Sequence, residues 1–479
     1  MKKRLLLVCG ALICAIMLWF TGHLILPAGT QGGAYREVSD ADTLYLDSLT
    51  SIRTATDIML NISMTRETIV GNAVFTETSQ QWLSYLELGT ENMRAALNET
   101  LTIGDHRTEI TEIYSGGTGY ITVNGIAFSG AISPEDYQNR FAPAILLDPS
   151  RYQTITGFDT RKNYIIQFTQ PVEAEAWALK ESASVIEAEG TAYVSYEGQL
   201  TGSTYTLTYQ QGNAQIRLTY TVDVEPISTN ITLPEDTAKY QVIDYLDGPR
   251  MLEQTTGYLL LADYVSAKYS DDIYCQTFGD HRTQEITLHA TLAEQNNWSA
   301  LVQTQTNLTN ESKAGTDSNF KKTELFKDGI YRSATNDGEW VNNGEVTADT
   351  MHTYCKNQLI GTVMLPQYIT GAQIEEAENT IRIVFSGSES FAPLICSNIC
   401  QTLYQKPELL NDMAQSNTTN TLQCYLELDR KTSLPIASGI NYDGSFYVEG
   451  VPYVLRFKAD QIYDIPSGSA QAEIDKAGA

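Results

Sequence analysis

Alternation of apolar and polar residues in two runs of the segment Leu422–Ile465 constrains the fold more than any other feature of the chain. Apolar side chains occupy every second position in two runs, at Cys424, Leu426 and Leu428 and at Tyr453, Leu455, Phe457 and Ala459. A period of two is typical of β-strands with one buried and one solvated face. The pairs Asp443-Gly444 and Glu449-Gly450 predict tight turns between the strands. The segment therefore predicts an antiparallel meander whose apolar face must be covered.

The two halves of the chain resemble each other in sequence. Five segments of the first half recur in the same order in the second half, displaced by 212 to 217 residues. They are 57–58, 79–82, 110–121, 155–157 and 164–168, matched by 272–273, 295–298, 322–333, 369–371 and 381–385. The stretch Pro226–Pro234 interrupts the strand pattern between the halves. We therefore predict a membrane anchor or signal segment over 1–34, a first domain over 35–230, a second over 231–466 and a disordered tail over 467–479.

The N-terminus resembles a membrane-targeting segment. Lys2, Lys3 and Arg4 precede Leu5–Leu26, a run of 22 residues without a charge. A spanning helix needs about 20 apolar residues, and the basic start favours a cytoplasmic N-terminus. We predict an uncleaved single-pass helix, with cleavage near Gly32 as the alternative, and place the bulk of the chain outside the cytoplasm, secreted if the segment is cleaved.

The net charge restricts the partners. The chain carries 58 acidic and 31 basic residues, a formal charge of −27. Such a surface repels the phosphates of nucleic acid and suits a basic protein partner. We therefore exclude nucleic-acid binding and keep a protein partner at the cell surface as a possibility.

The residues that usually carry chemistry are sparse. Five cysteines follow the N-terminal segment, an odd number that is not a disulfide framework, and Cys396 and Cys400 at helical spacing are interpreted as buried thiols. Asp105-His106 and Asp280-His281 are interpreted as solvated turn residues. The chain contains no nucleophile elbow, zinc-protease helix, phosphate loop or dinucleotide fingerprint. We predict a protein that is not an enzyme and has no catalytic residue, metal site or cofactor.

The second half contains a helix followed by strands, turns at 327–329 and 336–338, a helical insertion, and a strand with Asp429, Thr432 and Pro435. In this order of features it resembles the LolA/LppX family of exported bacterial proteins, which includes LprG-like and RseB-like members. The first half joins it through the internal repeat. The resemblance implies an α+β fold of two tandem half-barrel domains, each a curved antiparallel sheet with helices covering its concave apolar face. It also implies a lipid or another hydrophobic molecule between sheet and helices.

Ten residues are the candidate lining of such sites. They are Tyr205, Leu207, Tyr209, Leu218 and Tyr220 in the first half and Leu426, Leu428, Tyr453, Leu455 and Phe457 in the second. The alternative is that they pack on their own helices as ordinary core. Two functions fit the sequence: a membrane-anchored binder of a hydrophobic ligand, and a cell-surface regulatory or protein-interaction module without enzymatic activity. An open cavity of several hundred Å³ between sheet and helices favours the first.

Overall fold

The computed structural model describes residues 36–54, 57–88, 90–140, 148–172, 183–225, 230–292, 298–309, 318–392, 394–395, 416 and 418–478. This part of the chain forms two large sheets, sheet one with thirteen strands and sheet two with eleven. The strands of sheet one are β1 Arg36–Val38, β2 Ile58–Val70, β3 Ala73–Leu86, β4 Arg94–Ile103, β5 His106–Ser115, β6 Thr118–Val123, β7 Ile126–Ala131, β8 Tyr152–Asp159, β9 Tyr164–Pro171, β10 Ala183–Val194, β11 Leu200–Gln211, β12 Ala214–Glu225 and β13 Gln241–Val242. The strands of sheet two are β14 Tyr264–Cys275, β15 Asp280–Thr291, β16 Ser299–Thr309, β17 Ser318–Lys327, β18 Ile330–Thr335, β19 Val341–Glu345, β20 Ile369–Glu376, β21 Thr380–Gly387, β22 Thr418–Asp429, β23 Pro435–Val448 and β24 Val451–Asp464.

The two sheets share one strand order. Sheet one runs β1-β8-β9-β10-β11-β12-β2-β3-β4-β5-β6-β7-β13, and sheet two runs β20-β21-β22-β23-β24-β14-β15-β16-β17-β18-β19. Without the end strands β1 and β13, the strands correspond one to one, with β8 matching β20 and β2 matching β14. Such a correspondence is the arrangement that a duplicated unit produces.

Three of the five sequence matches fall at similar positions of equivalent strands, whereas Ile58 begins β2 and its match Ile273 lies near the end of β14. The segments 110–121 and 322–333 form the hairpins β5-β6 and β17-β18, while 155–157 and 369–371 lie in β8 and β20. The pair 164–168 and 381–385 lies in β9 and β21. The match 79–82 with 295–298 is not equivalent, since Trp82 lies in β3 whereas Trp298 precedes β16.

Five α-helices accompany the sheets in the described residues. They are α1 Ala41–Thr54, α2 Pro134–Asn139, α3 Gly248–Leu261, α4 Ala348–Leu359 and α5 Ala470–Gly478. The predicted α+β fold of two half-barrels covered by helices is therefore wrong, because the described residues are mostly β and form two large sheets with few helices. Strands such as β2 and β3 are 13 and 14 residues long. The turns that join them are tight, so few residues remain for helices.

Helix α3 packs on both sheets at once, and we call the side of each sheet that faces it the inner face. A Cβ added at Gly257 would lie 2.9 Å from the Ile103 Cβ of sheet one, and one added at Gly248 would lie 2.9 Å from the Ala372 Cβ of sheet two. Ile110 of sheet one and Phe385 of sheet two belong to the same buried cluster. The two sheets therefore share part of one core.

The end of the chain and one turn differ from the prediction. The tail predicted to be disordered contains α5, whose Ile474 is buried against Leu301 and Leu325. Asp443-Gly444 is not a turn but lies inside β23, where the Tyr442 hydroxyl occupies the space of a Cβ at position 444. The turn at Glu449-Gly450 is confirmed, with φ of 49° and 82°.

The predicted transmembrane helix at 5–26 lies outside the described residues. Among the residues that the structure does describe, no helix combines the length and the apolar character needed to cross a membrane.

Candidate ligand-binding site

A cleft of about 330 Å³ opens on the inner face of sheet two, and we call it the apolar cleft. Strands β14, β23 and β24 form its floor, and the segment after α4 together with the chain near Phe391 forms its walls. The lining residues are Tyr269, Ile273, Ile360, Gly361, Thr362, Val363, Leu365, Phe391, Leu394, Ile395, Ile440, Phe457 and Ala459. Most of them are apolar, so the cleft suits a hydrophobic guest.

Strand register assembles the floor. Ile273 pairs with Phe457 between β14 and β24, and Ile440 pairs with Ala459 between β23 and β24. Directly opposed residues of antiparallel strands point to the same face, so these four side chains form one apolar surface. Local alternation in sequence thus produces the floor once the strands pair.

A buried hydrogen-bond network fixes the wall that follows α4. The Thr362 hydroxyl forms a hydrogen bond with the Ser438 hydroxyl, and Thr362 Oγ1 also donates to Gln461 Oε1 at 3.1 Å. Tyr463 Oη donates to the carbonyl of Leu359 at 2.9 Å. Hydrogen bonds that are fully buried give a segment a defined position, so this side of the cleft is held in place by sheet two.

One corner of the apolar cleft is polar. Tyr269 Oη donates to Asp271 Oδ2 at 2.9 Å, and Arg282 Nη2 donates to the same oxygen at 2.6 Å. Burial raises the pKa of the Tyr269 phenol, so this group stays protonated at neutral pH. The carboxylate and the guanidinium neutralise each other, and the corner offers a neutral hydroxyl to the cleft.

The predicted lining residues of sheet two separate into two groups. Phe457 lines the apolar cleft, as described above. Leu426, Leu428 and Leu455 are at most 1% exposed and belong to the buried core. Tyr453 stacks on Phe446 with ring centroids 4.9 Å apart. Only one of the five therefore reaches this cleft.

The predicted residues of sheet one lie around a second cleft. Its volume is about 400 Å³, and Tyr209, Leu218 and Tyr220 are part of its wall. Tyr205 stacks on Tyr220 with centroids 4.9 Å apart, while Leu207 is buried in the core of sheet one. The inner face of sheet one therefore brings three of the five predicted side chains to a cleft.

Sequence reasoning missed most of the apolar cleft. Tyr269 and Ile273 lie on the same face of β14, but Asp271 and Asp272 interrupt the apolar pattern between them. The wall residues of 360–365 follow a helix and have no strand periodicity. Their apolar character after the last helical turn is the only local signal, and it does not indicate which strands lie opposite.

The described cysteines are inert thiols. Cys275, Cys355 and Cys424 are buried. Burial raises the pKa of Cys355 to about 12 and also raises the pKa of Cys424. Thiolates are the reactive form, so these groups are unreactive at neutral pH. Cys396 and Cys400 lie outside the described residues.

The two histidine pairs have different surroundings. His106 opens β5 as a partly buried residue, with its Nε2 2.9 Å from Glu253 Oε2 of α3, and so is more than a solvated turn residue. His281 lies in β15 and is exposed, with its Nε2 3.0 Å from Asp272 Oδ1. Each imidazole thus meets a carboxylate on another element.

No protein-family model and no curated protein matches the chain. Among solved structures, LprF from Mycobacterium bovis is 10% identical over 46% of this chain and 92% of its own, with a TM-score of 0.23. A DUF1329 family protein from Desulfovibrio piger is 11% identical over 42% of this chain and 97% of its own, with a TM-score of 0.17. A putative AttH from Nitrosomonas europaea is 7% identical over 91% of this chain and 98% of its own, with a TM-score of 0.13.

These proteins are weak structural neighbours. Similarity at such TM-scores carries no conclusion about family or function. The LolA/LppX likeness therefore stays a resemblance, and the functional argument rests on the clefts themselves.

Proposed function

We propose that the protein is a binding protein of the cell envelope that holds a lipid or another hydrophobic molecule in the apolar cleft. The observation that carries this proposal is the cleft of about 330 Å³ between sheet two and the segments that cover it. An open cavity between a sheet and its covering segments is expected in a ligand-binding protein, whereas a protein that uses the same scaffold only to bind a partner would have this space filled by side chains.

The size of the cleft favours one small guest. Ligand sites in proteins measure roughly 300–1,000 Å³, so this cleft is at the lower end. Each Å² of apolar surface removed from water contributes about 25 cal/mol. A single acyl chain or a compact ring system therefore fits the proposal better than a molecule with several chains.

The mouth of the cleft supports the same proposal. Leu365 and Leu394 line the cleft and are 49% and 52% exposed. Two large apolar side chains on the rim lose contact with water when a guest covers them. We propose binding without catalysis, because the polar groups at the cleft are engaged with one another: Tyr269 with Asp271, and Thr362 with Ser438.

Native mass spectrometry of the full chain, purified without added detergent, tests the proposal. We expect an added mass that solvent extraction releases and that is identified as an apolar compound. We also expect saturable fluorescence enhancement of N-phenyl-1-naphthylamine, a neutral hydrophobic probe, at one equivalent per chain.

Two variants locate the binding. Ala459→Phe fills the floor of the cleft, and Leu365→Asp places a charge on its exposed rim; each should weaken probe binding at least tenfold. Leu233→Asp is the matched control, because Leu233 is 51% exposed and does not line the cleft. A wild-type protein with no added mass and no probe binding would contradict the proposal. The alternative function, a regulatory protein-interaction module, would then take its place.

A further inference from the structure

The second cleft joins the two halves of the molecule. Its floor consists of inner-face residues of sheet one, including Arg66, Tyr209 and Tyr220, and its cover is the turn between β22 and β23. That turn contributes Lys431 and Ser433 to the wall. Because cations come from both halves, we call this site the basic cleft.

The turn that covers the basic cleft is rigidly built. Asp429 Oδ1 accepts from the amides of Lys431 and Thr432 at 2.9 and 2.7 Å, and from the Thr432 hydroxyl at 2.9 Å. Asp429 and Thr432 thus close a side-chain-capped turn. Ser433 has a left-handed φ of 61°, which directs the chain back into β23. The turn therefore presents Lys431 to sheet one in a defined position.

Arg66 of β2 anchors the turn and retains hydrogen-bonding capacity. Its Nη1 donates to Ser433 Oγ at 3.2 Å and its Nη2 donates to the Thr432 carbonyl at 2.9 Å. Its Nε is buried and has no hydrogen-bond partner. Glu77 lies directly across from Arg66 in the register, but no ion pair joins the two. Among the described residues, no carboxylate therefore lies within ion-pair distance of the guanidinium, although the charge of Glu77 still acts on it.

The other charged groups of the cleft leave a positive excess. Glu77 Oε2 accepts from Tyr258 at 2.7 Å and from Gln254 at 2.8 Å, so α3 engages this carboxylate. Arg430 is paired with Glu376 at 2.5 Å. Lys431 forms no ion pair within the described part of the chain. Arg66 and Lys431 are thus two cations facing one cleft in a protein with a net charge of −27.

The remaining wall is apolar and aromatic apart from Gln211. Met64, Leu218, Tyr209 and Tyr220 line the cleft on the inner face of sheet one. Burial raises the pKa values of Tyr209 and Tyr220, so both phenols are uncharged at neutral pH and do not repel an anion. Arg66 is partly buried, and its buried Nε has no hydrogen-bond partner, so a bound anion would add charge-assisted hydrogen bonds that the described residues of the cleft do not supply.

We infer that the basic cleft binds an amphipathic anion, whose phosphate or carboxylate group lies on Arg66 and Lys431 and whose apolar part lies against Leu218 and the two tyrosines. This site is separate from the apolar cleft and does not depend on the proposed function. A guest that touches both Arg66 and the β22–β23 turn also bridges the two halves, so its binding couples them.

Isothermal titration calorimetry on the full chain tests the inference with octyl phosphate, octanoate, 1-octanol and inorganic phosphate. We expect the two octyl anions to bind at least tenfold tighter than 1-octanol, because charge-assisted hydrogen bonds add to apolar contact. Inorganic phosphate should bind more weakly than octyl phosphate, because it lacks the apolar part. Equal affinity for the two phosphates would overturn the amphiphile assignment.

Three variants sharpen the test. Arg66→Met and Lys431→Met should each weaken octyl phosphate binding about tenfold or more, whereas Arg217→Met should leave it unchanged. Arg217 is the matched control because its neighbour Leu218 points into the cleft, while Arg217 itself, on the other face of β12, lies 3.9 Å from Glu67. Should Arg66→Met fail to fold, Lys431→Met decides alone, because its side chain makes no hydrogen bond within the described residues.

Two further results would overturn the inference. One is octyl phosphate binding no tighter than 1-octanol; the other is wild-type affinity in a folded Lys431→Met protein, which would leave Arg66 with a purely structural role. Ala459→Phe separates this test from that of the proposed function, because it blocks only the apolar cleft. Octyl phosphate should still bind that variant with wild-type affinity.

Discussion

Arg250 of α3 and Glu99 of β4 form an ion pair across the interface between the two halves, with Nη2 2.6 Å from Oε1. The Glu99 side chain is fully buried, and the same oxygen accepts from Ser79 Oγ at 2.6 Å and from Gln81 Nε2 at 3.1 Å. Sheet one thus contains a buried carboxylate whose only cationic partner in the described residues comes from the helix that also packs on sheet two. The pair therefore ties the position of α3 to sheet one.

Arg250→Met should lower the free energy of unfolding by about 3 kcal/mol, because it leaves the buried Glu99 charge uncompensated. Urea denaturation followed by circular dichroism measures this loss. Arg217→Met, which breaks an exposed pair with Glu67, should cost less than about 1 kcal/mol. A smaller loss for Arg250→Met than for Arg217→Met would contradict the assigned role of the pair.

Gly257→Ala should destabilise the protein by about 1–3 kcal/mol, although alanine is the better helix former by about 1 kcal/mol. The reason is the contact of 2.9 Å that the new Cβ would make with the Ile103 Cβ of sheet one. Thermal unfolding measures the change. Thr256→Ala, one residue earlier in α3, should change the stability by less than about 1 kcal/mol. A stabilising Gly257→Ala would show that α3 does not pack this closely on sheet one.

Lys356 should make the stability depend on pH in the alkaline range. Burial lowers the pKa of its amine from 10.5 to about 8. Between these values the unfolded chain binds more protons than the folded chain, so the free energy of unfolding rises with pH. The free energy of unfolding of the wild type, taken relative to that of Lys356→Met, should therefore increase by up to about 3 kcal/mol from pH 7.5 to pH 10.5. A constant difference over this range would show that the amine keeps its ordinary pKa.

Cys275, Cys355 and Cys424 should resist alkylation in the folded protein. All three thiols are buried, and burial raises the pKa values of Cys355 and Cys424. Site-resolved mass spectrometry after iodoacetamide treatment at pH 8 should find them unmodified in buffer and modified in concentrated urea. Modification of Cys424 in the folded state would mean that sheet two opens locally at β22.

The clefts could be predicted only in part. Alternation correctly placed Tyr209, Leu218 and Tyr220 on one face of sheet one, and Phe457 on the inner face of sheet two, because side-chain direction in a strand follows from position alone. Alternation could not distinguish Phe457, at the apolar cleft, from Leu455, which is fully buried two residues away. The difference depends on what covers each residue, and the covering segments are distant in sequence.

The residues Asp429 and Thr432 illustrate the same limit. Their spacing marked the segment as notable, and the capped turn that they form is a local structure. Nothing in the segment indicates that Arg66, more than 360 residues earlier, donates to this turn. The basic cleft was therefore missed as a site, although three of its residues were singled out for their apolar character.

Local structure could be predicted from the sequence: the period of the strands, the tight turn at Glu449-Gly450 and three of the five repeat matches. These features depend on residues within a few positions of one another, where backbone geometry sets side-chain direction. Three features emerge only in the folded molecule: the chain is mostly β, α3 packs on both sheets, and Lys431 of one half lines the same cleft as Arg66 of the other. Such contacts depend on how separate faces fit together in space, and the sequence periodicity of one face is the same whatever packs against it.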